Sequence, residues 1–271
     1  AILEIPPFLM SGTRFLLAGT LLFGVAALRK IPWPQTIHWK SAAWAGLMFM
    51  ALGTGLVVWS EQWVDSGMAA LLVSFEPLVV VILLWFMRGQ SPKLHSLLGV
   101  ALGVLGMFLL VGQPQISADR QTLIGVGVIA LSLFAWGYAS IYIGQANLPK
   151  SKMQSAGMQM MCGGICLLIM SLIFGDYKQF AWERLTPQGI FSFFYLVVLG
   201  SLLAFSAFNY LLTKVSPEKV ATTNYVNPVV AMFLGWSLNN EEVTTRSLIA
   251  AAIMLTGVFF INCKFGQKKL I

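Results

Sequence analysis

The chain has 271 residues, of which 58% are hydrophobic and 10% charged, and it carries a net charge of +7. A water-soluble domain carries roughly 25% charged residues, so this composition excludes an ordinary soluble enzyme or binding module. Crossing a hydrocarbon layer about 30 Å thick takes about 20 apolar residues, and nine such runs follow one another along the sequence.

In chain order the runs cover residues 8–28, 41–64, 66–87, 94–112, 123–144, 153–174, 189–213, 218–236 and 247–263. Backbone groups in lipid must be satisfied within each segment, and runs this long and uniformly apolar do not suit the alternating strands of a barrel. The sequence therefore predicts an all-α integral membrane protein, a polytopic helical bundle. The longest connections, "QPQISADRQ" and "GDYKQFAWERLTPQ", are too short to hold a second core. Nothing resembles a cleavable signal peptide.

If the first run goes from outside to cytoplasm, alternate connections collect opposite charge. The cytoplasmic stretches then hold twelve basic residues, from Arg29 and Lys30 to Lys264, Lys268 and Lys269, against Glu218 alone. The outer stretches hold four basic and eight acidic residues, among them Asp119, Glu241 and Glu242. This is the positive-inside bias of an inserted chain. The basic balance reports orientation, with a cytoplasmic C-terminus, and not a nucleic-acid partner, because the Lys and Arg residues form no basic stripe. Cys162 and Cys166 share one helix face and Cys263 ends another run; with His38 and His95 far from both, no metal set is expected. The glycines Gly53, Gly55, Gly103, Gly106, Gly163, Gly164 and Gly257 read as close-packing points between helices.

An internal repeat organises the runs. At an offset of 151 residues "FEPLVVV", starting at Phe75, overlies "VNPVVAM", starting at Val226, which matches Pro77 with Pro228; the offset continues to match Gly106 with Gly257. Upstream, "LGTGLVVWSEQW" overlies "LGSLLAFSAFNY" after a shift of four residues. Five crossings separate the two prolines, so the copies run in opposite directions, the inverted-repeat plan of many secondary transporters. The repeats are expected to be domains over residues 1–113 and 122–265. The later copy has five helices and the earlier four, and the chain starts at "AILEIPPF" without methionine. A leading helix is therefore expected before Ala1, for ten in all, with both termini cytoplasmic.

With these motifs assembled, the sequence resembles a known family. "PPFLMSGTRFLLAGTLL", "SGMAALLVSFEPLVV" and "SPEKVATTNYVNPVVAMFLGW" followed by "NNEE" are together similar to the EamA transporters of the drug/metabolite transporter superfamily. The resemblance spans the whole chain. It implies a ten-helix inverted-repeat carrier of small organic solutes, working by alternating access in a bacterial inner membrane. The family is chemically broad, so no substrate follows from it.

Glu76 is the residue the apolar pattern does not explain. It lies ten residues into its run, or about 15 Å at 1.5 Å per residue, near the midplane. A carboxylate there is unstable unless it is protonated, paired or wet. It either binds a cationic substrate, exchanges a proton, or pairs with Arg14 as a fixed structural contact. Pro77 has no N–H for the Val73 carbonyl and Pro228 none for that of Asn224, so two acceptors are freed at mid-membrane. With Asn227 at similar depth, Glu76 is expected to form a polar girdle facing a common cavity. Arg14, Trp59, Trp136, Tyr138, Asn209, Thr223 and Tyr225 are the further candidate substrate contacts; Tyr142 and Tyr210, close to helix ends, read as interfacial anchors.

No HExxH, GxSxG or Walker sequence occurs, which argues against an enzyme. The expected function is secondary transport of small metabolites, above all amine-bearing solutes such as amino acids, with membrane lipid and the substrate as partners, a proton as candidate coupling ion and no cofactor. The alternatives are a multidrug or cationic-compound exporter and a non-transporting membrane receptor. Oligomeric state is left open.

Overall fold

The computed structural model describes residues 4–111, 120–239 and 244–262. Gly112 and Cys263, the expected ends of two runs, lie outside the described residues, as do Asp119, Glu241, Glu242, Lys264, Lys268 and Lys269. Among the described residues there is helix and no strand. Eight stretches among the described residues are long and apolar enough to cross a membrane.

The helices in chain order begin with α1 (Pro7–Leu28), α2 (Thr36–Gly46), α3 (Leu56–Ser60), α4 (Ser66–Val73), α5 (Glu76–Arg88) and α6 (Leu94–Val111). They continue with α7 (Arg120–Ile143), α8 (Lys152–Phe174), α9 (Pro187–Tyr195), α10 (Ser206–Leu212), α11 (Pro217–Ala221), α12 (Thr223–Asn239) and α13 (Thr245–Asn262). Two spans differ from expectation at their ends or in their composition. The second starts at Thr36, five residues before the expected Ser41, because Gln35 and His38 form a reciprocal cap there. It ends at Ser60, since residues 61–64 make the turn into α4. The expected run 218–236 is divided at Thr222 into α11 and α12, and Asn224 and Asn227 make it the polar exception among the spans.

Hydropathy gives no sign of another feature. Leu47–Gly55 between α2 and α3, and Leu196–Phe205 between α9 and α10, are π-helical. The Thr54 hydroxyl donates to the Phe49 carbonyl five residues back at 3.2 Å, the spacing of a π turn. These stretches fall in the two segments that the four-residue shift of the repeat aligns.

The chain forms two compact units, Ala1–Gln62 with Tyr138–Val215, and Trp63–Gly137 with Ser216–Ile271. Each draws helices from both expected repeats. In the first unit α1 and α8 pack through glycine. A Cβ on Gly19 would lie 2.7 Å from the Gly157 carbonyl oxygen, and one on Gly164 would lie 3.0 Å from that of Gly12. Ascending one helix matches descending the other, so the pair is antiparallel. In the second unit α6 and α13 do the same: a Cβ on Gly99 would stand 2.6 Å from the Gly257 carbonyl oxygen, and one on Gly106 2.8 Å from that of Ala250. Both pairs join counterpart helices of the repeats. Close backbone approach through small residues is how helices associate where lipid is as apolar as leucine.

Polar side chains fix the ends of the first unit. Asp176 accepts the N–H of Phe8 at 2.9 Å and the hydroxyl of Ser171, capping α1 from the end of α8. Glu4 accepts the N–H of Thr186 at 3.0 Å and its hydroxyl at 2.7 Å, and these two donors hold its carboxyl below the usual range.

Candidate functional site

The second unit contains the break that the sequence announces. Helix α4 ends at Val73, and α5 starts at Glu76 with Pro77 in its first turn, where no N–H is needed. The Val73 carbonyl, stripped of its helical donor by Pro77, instead receives the Asn224 side-chain nitrogen at 3.4 Å. The same nitrogen donates to Glu76 Oε2 at 2.6 Å. Glu76 is only 5% exposed, and its Oε1 is buried without a hydrogen-bond partner among the described residues. One amide thus holds both the broken backbone and the carboxylate. Beside the break, Leu72, Phe75, Leu78, Val79, Val126 and Leu133 line an apolar groove of about 320 Å³.

Asn227 is expected to share a polar girdle with Glu76 at mid-membrane. Asn227 is exposed and does not bond Glu76; Asn224, one turn earlier on α12, does. Asn224 was expected only as a carbonyl freed by Pro228, although the 151-residue offset sets it opposite Val73 and could have singled it out. Thr223 is half-buried, and its hydroxyl returns to the Val220 carbonyl at 2.9 Å. Tyr225 is fully buried in packing against Val100, Met107, Met254 and Ile261, with its hydroxyl 3.5 Å from the Val100 carbonyl. Its ring fills the space left by Gly103, where a Cβ would stand 2.4 Å away. Tyr225 is therefore packed in the core of the second unit. Trp136 is half-buried on α7.

The other candidates belong to the first unit. Arg14 is 9% exposed; its guanidinium lies 4.4 Å from the centre of the Phe15 ring, and its Nε has no hydrogen-bond partner among the described residues. Trp59 stacks with Phe8 at 6.0 Å and meets the Phe174 ring at a tilt, 5.9 Å between centres. Tyr138 accepts the Trp44 indole N–H at 3.4 Å and stacks on Tyr142 at 6.1 Å. Asn209 is buried and accepts the Gln159 side-chain N–H at 3.1 Å, while the same Gln159 nitrogen is 3.1 Å from the Ser155 hydroxyl. Gln159, absent from the sequence candidates, is fully buried, and its Oε1 has no hydrogen-bond partner among the described residues. Its place in a run of methionines and small residues concealed it. No cluster of three His, Cys, Asp or Glu side chains among the described residues is placed to hold a metal ion.

Eight apolar spans and a broken helix carrying a buried carboxylate define the chain as a multi-pass α-helical membrane protein. Comparison with known proteins identifies its kind. The chain belongs to the EamA-like transporter family, whose model matches residues 1–112 and 123–263. It is 34% identical over 260 residues to the inner membrane transporter YedA of Escherichia coli, covering 95% of this chain and 82% of that one. To the transporter YoaV of Bacillus subtilis it is 26% identical over 269 residues, covering 98% and 91%. A protein solved by crystallography shares the fold with a TM-score of 0.77 at 16% identity, over 95% of this chain and 88% of that one. The protein is a membrane transporter.

Proposed function

We propose that the protein is a secondary transporter that moves small amine-bearing metabolites, such as amino acids or related compounds, across the bacterial inner membrane by alternating access. Glu76 receives the substrate ammonium, and Asn224 orients the carboxylate for it. The observation that carries this reading is the pair of unlike oxygens on Glu76: Oε2 tied at 2.6 Å, and Oε1 buried with no partner among the described residues. A desolvated carboxylate is stabilised by a charge-assisted donor, and an ammonium supplies both charge and N–H groups. The apolar groove beside the break suits the carbon part of such a solute. A broader exporter of cationic compounds would use the same carboxylate. The sequence repeats, residues 1–113 and 122–265, are the halves proposed to exchange conformations, and the charge bias supports a cytoplasmic C-terminus.

Counterflow in proteoliposomes tests the reading. A carrier exchanges labelled amine against unlabelled amine, whereas a receptor binds without moving it. Glu76→Gln keeps the shape and removes the charge, so exchange should be lost while expression and Tm stay near the parent's. Normal exchange by that variant would sink the assignment, and a large loss of stability would mark Glu76 as a structural group.

A further inference from the structure

The surroundings of Glu76 contain more unsatisfied oxygen than a substrate amine alone requires. Among the described residues its one hydrogen-bond partner is the neutral amide of Asn224, and Oε1 has none. Two further oxygens stand at the same break. The Val73 carbonyl, at the C-terminal end of α4, has lost its helical donor to Pro77 and keeps only the 3.4 Å contact from Asn224. Asn224 spends its nitrogen on Val73 and Glu76, and its amide oxygen accepts no hydrogen bond among the described residues. Carboxylate, carbonyl and amide oxygens are hard ligands. Broken-helix carbonyls with a negative dipole end are a recurring seat for alkali ions in transporters. One carboxylate balances one positive charge, which selects a monovalent ion.

We propose that Na⁺ binds at the α4–α5 break on Glu76 Oε1, the Val73 carbonyl and the Asn224 amide oxygen, and that it exchanges there with the transported amine. The first part stands on the geometry alone; the exchange rests on the function proposed above.

The test is thermal unfolding of the purified protein in detergent, with NaCl, KCl or choline chloride at equal ionic strength. Na⁺ should raise Tm in proportion to the logarithm of its concentration, as a native-state ligand does, and K⁺ and choline should not. Glu76→Gln should lose the Na⁺ response. Pro77→Ala returns an N–H to the Val73 carbonyl and leaves the carboxylate, so the response should survive but require several times more Na⁺. A parent protein without a Na⁺-specific shift, or a Glu76→Gln variant that keeps it, overturns the site. Should Glu76→Gln fail to fold, an unchanged Na⁺ midpoint in Pro77→Ala overturns it instead. Amine exchange lost in Glu76→Gln without any Na⁺ response defeats this inference alone. A Na⁺ response beside normal exchange by Glu76→Gln defeats the assignment of the amine and leaves the ion site standing.

Discussion

Pro77 and Pro228 occupy matching places in the sequence repeat, yet the chain treats them differently. At Pro77 the helix stops at Val73 and restarts at Glu76, so the proline sits in a first turn where it lacks nothing. At Pro228 the helix runs through, from Thr223 to Asn239, and the interruption comes earlier, at Thr222. Packing and side-chain bonding separate the two cases. The fully buried Tyr225 seats the first turn of α12 over Gly103 of α6, and Asn224 reaches from that turn to the Val73 carbonyl. The first break is therefore bridged by a side chain belonging to the second. A proline makes a carbonyl available; which group comes to meet it depends on the neighbouring helix.

The strongest way to break this comparison is Asn224→Leu. It leaves the Val73 carbonyl and Glu76 Oε2 without their donor, and unsatisfied buried groups of this kind weigh about 1–3 kcal/mol each. A loss of about 3 kcal/mol in thermal unfolding is expected, and an unchanged Tm would mean that Asn224 does not bridge the break. Gly103→Ala sharpens the role of packing: the new methyl meets the Tyr225 ring and should destabilise by about 2 kcal/mol, as overpacked cores do. Tyr225→Leu in the same background should recover part of that loss, and no recovery would place the strain elsewhere. The smallest effect separates the prolines themselves. Pro228→Ala restores a donor to the Asn224 carbonyl within a helix and should stabilise by about 1 kcal/mol. Pro77→Ala should change stability less than this, and equal gains from the two would erase the distinction.

Much of this site was legible before the structure. Glu76 stood out because a lone carboxylate inside an apolar run has few explanations, and Pro77 because a proline has no N–H. What stayed hidden was the partner. Asn224 and Asn227 are three residues apart on one helix, and only the rotation of α12 against α4 and α5 decides that the former meets Glu76. The same rotation packs Tyr225, a candidate contact, into the core. Gln159 and the two π-helical stretches left no trace in hydropathy, since burial depends on neighbouring helices and π geometry on local backbone hydrogen bonding.

The sequence specifies the solvent and eight of the nine expected apolar runs, because the free energy of removing a backbone from water depends on composition and length. It also determined where helical hydrogen bonding must fail, at two prolines. The tertiary structure decided the rest: that helices from both repeats build each unit, that α1 meets α8 and α6 meets α13 antiparallel through glycine, and that the amide of Asn224 occupies the gap left by Pro77. These are matters of which faces touch, and faces are fixed by packing between helices that one-dimensional periodicity does not register.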